Sequence, residues 1–301
     1  GLAKVVSQED AAELSGFYSQ AFNAEYRAAT DPGIAAEDVF HFEAMRADRR
    51  EISIAFANRG ASTPVAGIEG ATELKVYLLG KRLILSDFMP ILEDVGLRVI
   101  AANPYEVELL NESGTIYIFA VQDQKERQLA VDGRGELLSE TILASRSGDV
   151  VSDSLNALVS STGLHWREVD VLRGYLGYAF QVGAVPSRVS IRAALIQYPR
   201  IARELFELFA TKFDPDSSAT KQERLAEVAQ RRATFFRSLR SVSALADDRA
   251  LRRLEELISA TVRTNFYRHG GNEPIFRSGG VPYISFKFSC RSMEFLQRTR
   301  M

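Results

Sequence analysis

An ordered succession of strand and helix patterns between residues 74 and 121 constrains the fold more than any other feature of this sequence. A strand pattern leads through a turn into a helix pattern that stops at Gly96, and two further strand patterns are joined by a glycine-containing hairpin turn. Gly96 is positioned as the left-handed residue that ends a helix, and residues 111–114 are typical of a hairpin. This order is most of a ferredoxin-like βαββαβ unit, whose antiparallel sheet carries its helices on one face.

Local signals predict each element of this unit. The predicted strands are residues 74–79, 97–100, 105–110 and 115–121, with an Asn-Pro pair at 103–104 between the second and the third. Ser86 is predicted to be the N-cap of the helix, with Asp87 in the first turn near the positive end of the helix dipole. The alternation of Ile52, Ile54 and Phe56 predicts one more strand, and an exposed loop is expected over residues 58–70.

Helical patterns lie before and after the predicted sheet. Residues 8–45 have helical periodicity that an Asp-Pro-Gly run at 31–33 interrupts. Residues 122–148 are polar, which indicates either an exposed connection or a degraded second half of the βαββαβ unit. Beyond residue 151, five helix patterns follow, the last capped by Asp247 and extending through Val262, before a strand pattern over residues 283–288. The predicted fold class is α+β, an antiparallel sheet module followed by a mostly α-helical region.

Composition excludes several classes of protein. The 301 residues carry 37 Lys and Arg against 39 Asp and Glu, so a formal charge of −2 offers no general attraction to nucleic acid or anionic lipid. Arginines on the helical patterns alternate with acidic residues at helical spacing, which favours a salt-bridged surface over a nucleic-acid interface. The single Cys290 cannot form an internal disulfide, and no apolar stretch is long enough to span a membrane. We therefore expect a cytoplasmic protein without nucleic-acid or membrane partners.

The familiar catalytic and cofactor motifs are incomplete. Gly133-Arg134-Gly135 lacks the third glycine of a dinucleotide-binding turn, and the Gly-Lys pair at 80–81 lacks the first glycine of a phosphate loop. The three histidines lie far apart in the sequence without a metal-binding motif, and His165 is interpreted as a capping or packing residue. We predict no catalytic, cofactor-binding or metal-ligating residue in this chain.

Several stretches together resemble the large NAD-dependent glutamate dehydrogenases. LILSDFMPILEDVGLRVI at residues 83–100, followed by NPYEV at 103–107, is similar to the last ACT-type module of that family. LHWREV at 164–169 with LRGY at 172–175 resembles the helical segment that follows. ATVRTNFY at 260–267 and YISFKF at 283–288 resemble the approach to the catalytic region. The resemblance extends from about Leu14 to the end of the chain.

The resemblance implies a domain division and a role. Residues 1–50 would be a helical lead-in, 51–150 an ACT-like module, 151–270 a helical domain, and 271–301 the start of a catalytic region. It also implies that the parent enzyme deaminates glutamate to 2-oxoglutarate and ammonium with NAD as cofactor. The substrate and NAD motifs of that family lie further downstream, so this chain is expected to be a noncatalytic regulatory or structural segment. Its expected partners are other domains of the same chain and further copies in a homo-oligomer.

ACT modules in many enzymes bind amino acids near the turn between their first strand and first helix. That turn corresponds here to Gly80 and Lys81, where glycine permits close backbone approach and the lysine could meet the carboxylate of an amino-acid effector. The other interpretation of this turn is a plain connection in a module that only packs. The alternative function for the whole chain is a freestanding ACT-type amino-acid sensor whose helical domain binds a protein partner.

Overall fold

The structure, a computed structural model, describes residues 16, 18, 20–58, 68–109, 112–270, 273–274, 283–293 and 295. The chain divides into two compact units, Gly1–Arg146 and Ser147–Met301. The first part of the predicted lead-in helix and residues 59–67 of the predicted loop lie outside the described residues. Within the described part, no helix is both long and apolar enough to cross a bilayer. The predicted division into four domains stays a prediction.

The first unit is built on a four-stranded antiparallel sheet. Its strands are β1 (Ile52–Ala57), β2 (Thr72–Leu79), β3 (Leu97–Glu108) and β4 (Ser113–Asp123), in the order β1-β2-β4-β3. Its helices are α1 (Ala24–Ala29), α2 (Pro32–Ala47), α3 (Leu85–Asp94) and α4 (Gly135–Ser147). The helix between β2 and β3 and the β3–β4 hairpin confirm the predicted succession, and Gly96 has the expected left-handed backbone with φ of 86°.

The outer strand next to β2 comes from an unexpected place in the chain. In a βαββαβ unit the strand beside the first strand is the last one. Here that position is occupied by β1, which precedes β2 in the sequence and pairs with it antiparallel. The sheet therefore has the ferredoxin-like arrangement with one edge strand supplied from the N-terminal side.

Helices cover both faces of this sheet. On one face, Phe88 of α3 packs against Phe119 of β4, with ring centroids 6.0 Å apart. On the other face, Phe42 of α2 meets Tyr77 of β2 edge to face, with centroids 5.7 Å apart. The expectation of helices on one face only is therefore wrong, because the lead-in helices bury the second face. Strand β2 is buried along its whole length as a result.

Three local predictions in the first unit are corrected. β3 is one continuous strand through the Asn-Pro pair, because it is an edge strand where proline leaves no ladder hydrogen bond unmade. Helix α3 has Ile84, not Ser86, at its N-cap position, and the Ile84 carbonyl accepts the backbone N–H of Phe88. Of the two interpretations of residues 122–148, the exposed connection is wrong, because residues 135–147 are a helix with Leu138 and Ile142 buried; the second half of the βαββαβ unit stays the open interpretation.

The second unit is mainly helical. Its helices are α5 (Ala157–Thr162), α6 (Trp166–Gln181), α7 (Arg188–Gln197), α8 (Pro199–Phe213), α9 (Lys221–Ser238) and α10 (Leu245–Ala260). Short strands follow: β5 (Thr261–Thr264), β6 (His269–Gly270), β7 (Glu273–Pro274) and β8 (Phe286–Phe288). β5 pairs antiparallel with β8, and β6 with β7. Tyr175 of α6 and Phe209 of α8 pack against Phe286 of β8.

The junction between α10 and β5 corrects the predicted last helix. That helix ends at Ala260 instead of running through Val262, and its N-cap is Ala244, with Asp247 in the first turn. Thr261 begins a strand because its backbone is extended, with φ of −70° and ψ of 131°. The predicted final strand is shorter than expected and covers only Phe286–Phe288.

Candidate functional site

The turn between β2 and α3 is the effector site proposed from the sequence. Gly80 has a left-handed backbone, φ 63°, and no heavy atom outside residues 79–81 lies within 4 Å of where a Cβ would stand. Its N–H donates to the carbonyl of Ser113 at 2.8 Å, which ties the turn to the start of β4. The glycine is therefore required by the backbone conformation, and the space beside it is open.

Lys81 faces a carboxylate of the chain itself. Its Nζ lies 2.5 Å from Oε2 of Glu51, just before β1, and both side chains are more than half exposed. Its neighbour Arg82 pairs in the same way with Glu106 of β3. Exposed pairs of this kind contribute little to stability, about 0–1 kcal/mol. A ligand carboxylate would therefore need to compete only with a weak internal partner for Lys81.

The most concentrated set of ionisable groups in the first unit lies inside the protein. Asp38 of α2 accepts two hydrogen bonds from Nζ of Lys75 on β2, at 2.8 and 2.7 Å. The hydroxyl of Tyr77 donates to the same carboxylate at 2.6 Å, and the hydroxyl of Tyr26 from α1 donates to its other oxygen. We call these residues, together with Glu73, whose Oε1 is 3.8 Å from Lys75 Nζ, the Asp38 cluster.

Burial dominates the electrostatics of the Asp38 cluster. Asp38, Glu73 and Lys75 are all at most 2% exposed. Burial and the nearby Asp38 carboxylate raise the pKa of Tyr26 and of Tyr77, so both phenols stay protonated as donors. The cluster joins α1 and α2 to β2 through the hydrogen bonds that Lys75, Tyr77 and Tyr26 donate to Asp38. The cluster therefore has a structural role: it holds α1 and α2 on β2.

The Asp38 cluster was not predicted from the sequence, although the sequence carries a signal for it. Glu73 and Lys75 interrupt an otherwise apolar strand at alternate positions, so both point to the same face. Charged residues at such positions are almost never buried without partners. That rule predicts a buried partner for Lys75, while Asp38 can be assigned as that partner only from the structure.

Ionisable groups of the second unit also hold elements together. Lys212 of α8 donates to the carbonyls of Ile258 and Ser259 at 3.2 and 2.5 Å, and burial lowers the pKa of Lys212 to about 8. Arg232 of α9 pairs with the buried Glu255 of α10 at 2.6 Å. Arg231 of α9 pairs with Glu207 of α8, while Arg252 and Arg253 pair with acidic residues of their own helix, α10. These pairs agree with the interpretation of a salt-bridged helix surface.

His165 has the capping role that the sequence predicts. Its Nδ1 accepts the backbone N–H of Arg167 at 3.2 Å, and the backbone N–H of His165 donates to Oε2 of Glu168 at 2.8 Å. This reciprocal pair is a capping box at the start of α6. Across the described ranges, no group of three or more His, Cys, Asp or Glu residues is arranged to hold a metal ion.

Family models match the chain in succession. Glutamate dehydrogenase, helical motif 2, matches residues 2–45, and the ACT3 domain of glutamate dehydrogenase matches 61–134. Helical motif 3 matches 150–215, and the catalytic domain of bacterial NAD-glutamate dehydrogenase matches 234–301. The chain belongs to the family of large NAD-specific glutamate dehydrogenases.

Three curated relatives of this segment are all described as NAD-specific glutamate dehydrogenases. The NAD-specific glutamate dehydrogenase of Pseudomonas aeruginosa is 32% identical over 93% of the chain, which spans 17% of that relative. The protein of the same name from Halomonas elongata is 33% identical over 65% of the chain and 12% of its own length. The Mycobacterium tuberculosis protein is 28% identical over 83% of the chain and 15% of its own length. The segment therefore spans less than a fifth of these relatives.

Proposed function

We propose that this chain is the regulatory and structural segment of a parent enzyme that oxidises glutamate to 2-oxoglutarate and ammonium with NAD, and that the segment alone does not catalyse. The observation that carries the proposal is the order of the matched regions, from helical motif 2 and ACT3 to helical motif 3 and the start of the catalytic domain. The same order favours a segment of a large enzyme over a freestanding sensor.

The ionisable clusters support a noncatalytic segment. The Asp38 cluster is buried and joins helices to a sheet. Lys212 donates hydrogen bonds to two carbonyls at the end of α10. A catalytic acid, base or nucleophile needs access to substrate. These groups instead have access to one another, which suits a supporting role.

The test compares the 301-residue chain with the full-length parent. Each is purified and assayed for glutamate-dependent NADH formation at equal molar concentration. We expect turnover from the parent and none above the no-enzyme control from the chain. Turnover by the chain alone would contradict the proposal, and a parent that does not oxidise glutamate would contradict the assigned reaction.

We also propose that the Gly80–Lys81 turn binds an amino-acid effector. The open space beside Gly80 and the weak pairing of Lys81 favour this second function. Titration of amino acids into the chain, followed by calorimetry and by amide shifts of residues 80–86, should give a saturable signal that Lys81→Ala removes. Lys125→Ala, which changes an exposed lysine in a different turn, is the matched control. No response at millimolar ligand would reject the site.

The proposal also covers the oligomeric state and the cellular location of the parent enzyme. The parent is proposed to be a cytoplasmic homo-oligomer in which this segment contacts other domains of its own chain. Light scattering of the purified parent tests the oligomer directly. A monomer at micromolar concentration would contradict this part of the proposal alone.

A further inference from the structure

The junction between α10 and β5 lies inside the region matched by the catalytic-domain model, yet residues of helical motif 3 hold it. The chain passes from the last helical residue, Ala260, to the first strand residue, Thr261, without an intervening loop. Any rotation at this junction would redirect β5. The contacts at this point therefore decide the direction in which β5 leaves α10 within the matched catalytic region.

Two polar contacts from helical motif 3 fix the junction. Lys212 of α8 donates to two carbonyls in the last turn of α10, where a cation is favoured by the helix dipole. The buried hydroxyl of Tyr175 on α6 lies 2.8 Å from Oγ1 of Thr261. Because Thr261 Oγ1 donates to the carbonyl of Leu257, its oxygen is left to accept from Tyr175. Lys212 therefore holds the α10 side of the junction, and Tyr175 holds the β5 side.

Aromatic stacking holds the partner strand β8 against the same helix. The ring of Tyr175 stacks on Phe286 with centroids 4.4 Å apart, and the ring of Tyr178 stacks on Phe288 at 4.3 Å. The backbone of α6 comes so close to the Phe286 side chain that a Cβ on Gly174 would stand 2.8 Å from its ring. Gly174 therefore leaves the room in which the Phe286 ring of β8 packs against α6.

We propose that Gly174, Tyr175 and Lys212 are positioning residues for the catalytic domain, through which the helical region fixes the α10–β5 junction and the β5–β8 ladder in one geometry. We call these three residues the junction clamp. The inference rests on the proposed function, because it assigns to the helical region a part in the reaction of the parent enzyme. The residues act on the reaction only through the strands that they hold.

The test uses a pair of glycine substitutions on one helix in the full-length parent. Gly174→Ala forces the Phe286 ring to move, whereas Gly177→Ala, three residues further along α6, places its methyl group where no atom beyond its chain neighbours and the adjacent helix backbone lies within 4 Å. Both changes have the same effect on intrinsic helix propensity. Steady-state kinetics are measured well below the melting temperature, where each variant is folded by circular dichroism.

We expect Gly174→Ala to lower kcat at least threefold while the KM values for glutamate and NAD change less than kcat, and Gly177→Ala to leave both unchanged. Adding Phe286→Leu, which makes room for the methyl group, should restore at least half of the lost kcat. A Gly174→Ala enzyme that melts at a lower temperature but retains wild-type kcat would overturn the inference, as would equal effects of the two glycine variants.

A milder variant covers the case in which Gly174→Ala does not fold. Tyr175→Phe keeps the ring stack and removes only the hydroxyl bound to Thr261. We expect a lower kcat for Tyr175→Phe. Thr261→Val should cost less kcat when it is added to Tyr175→Phe than when it is made alone, because in the double variant only the bond from Thr261 to the Leu257 carbonyl is left to lose. Wild-type kcat in Tyr175→Phe would overturn the inference. An inactive wild-type parent would instead contradict the proposed function, so the two failures are distinct.

Discussion

Replacing Asp38 by Asn should strongly destabilise the first unit. The Asp38 carboxylate accepts hydrogen bonds from Lys75, Tyr77 and Tyr26 inside the protein. In Asp38→Asn one carboxylate oxygen becomes an NH₂ group, which then faces other hydrogen-bond donors. The buried Lys75 also loses its nearer acidic partner and keeps only Glu73, at 3.8 Å. Breaking a buried pair by removing one partner costs about 3–5 kcal/mol. For a unit of this size, that loss lowers the melting temperature by roughly 6–20 °C.

Urea unfolding of the 301-residue chain measures this loss. Amide hydrogen exchange in β2 reports on the first unit, while Trp166, the only tryptophan of the chain, reports on the second. The matched control is Glu106→Gln, the same carboxylate-to-amide change in the exposed pair with Arg82, which should cost less than about 1 kcal/mol. If Asp38→Asn costs no more than Glu106→Gln, the Asp38 cluster does not anchor the helices.

Three further changes test other parts of the structure. Leu92→Asp should unfold the first unit, because an unpaired charge at this fully buried position costs several kcal/mol, and an unchanged melting temperature would refute the burial. Burial lowers the pKa of His41, so below about pH 6.5 the unfolded state binds a proton that the folded state does not bind. The unfolding free energy should therefore fall as the pH drops below about 6.5. In urea titrations, His41→Phe should reduce this dependence of the unfolding free energy on pH. The pKa of Lys212 is about 8 in the folded protein and about 10.5 in the unfolded chain. Between pH 8 and 10 the unfolded state therefore binds more protons, and the unfolding free energy should rise with pH. Lys212→Met should remove that rise.

The sheet of the first unit could be predicted because its elements carry local signals. Gly96 ends α3 with the positive φ that only glycine adopts freely, and the alternation of apolar residues marks β1. The continuity of β3 through Pro104 could not be predicted in this way. It depends on β3 being an edge strand, which is a property of the whole sheet.

The candidate sites also differ in whether a local sequence pattern predicts them. The Gly80 turn was predictable, because a glycine between a strand and a helix is a local pattern. The partner of Lys81 was not, since Glu51 lies 30 residues away in the sequence. Asp38 and Lys75 are 37 residues apart and meet only because α2 packs across the second face of the sheet. Contacts of this kind follow from tertiary packing, and no local periodicity encodes them.

The N-terminal origin of β1 has a practical consequence for dissecting this protein. A fragment cut at the limits of the matched ACT3 region, residues 61–134, would lack both β1 and α2. Its β2 would become an open edge available to other chains, with Lys75 deprived of Asp38 and an apolar face exposed to water. Such a fragment should aggregate, whereas one that starts ahead of α1 keeps the strand and the helices that β2 requires.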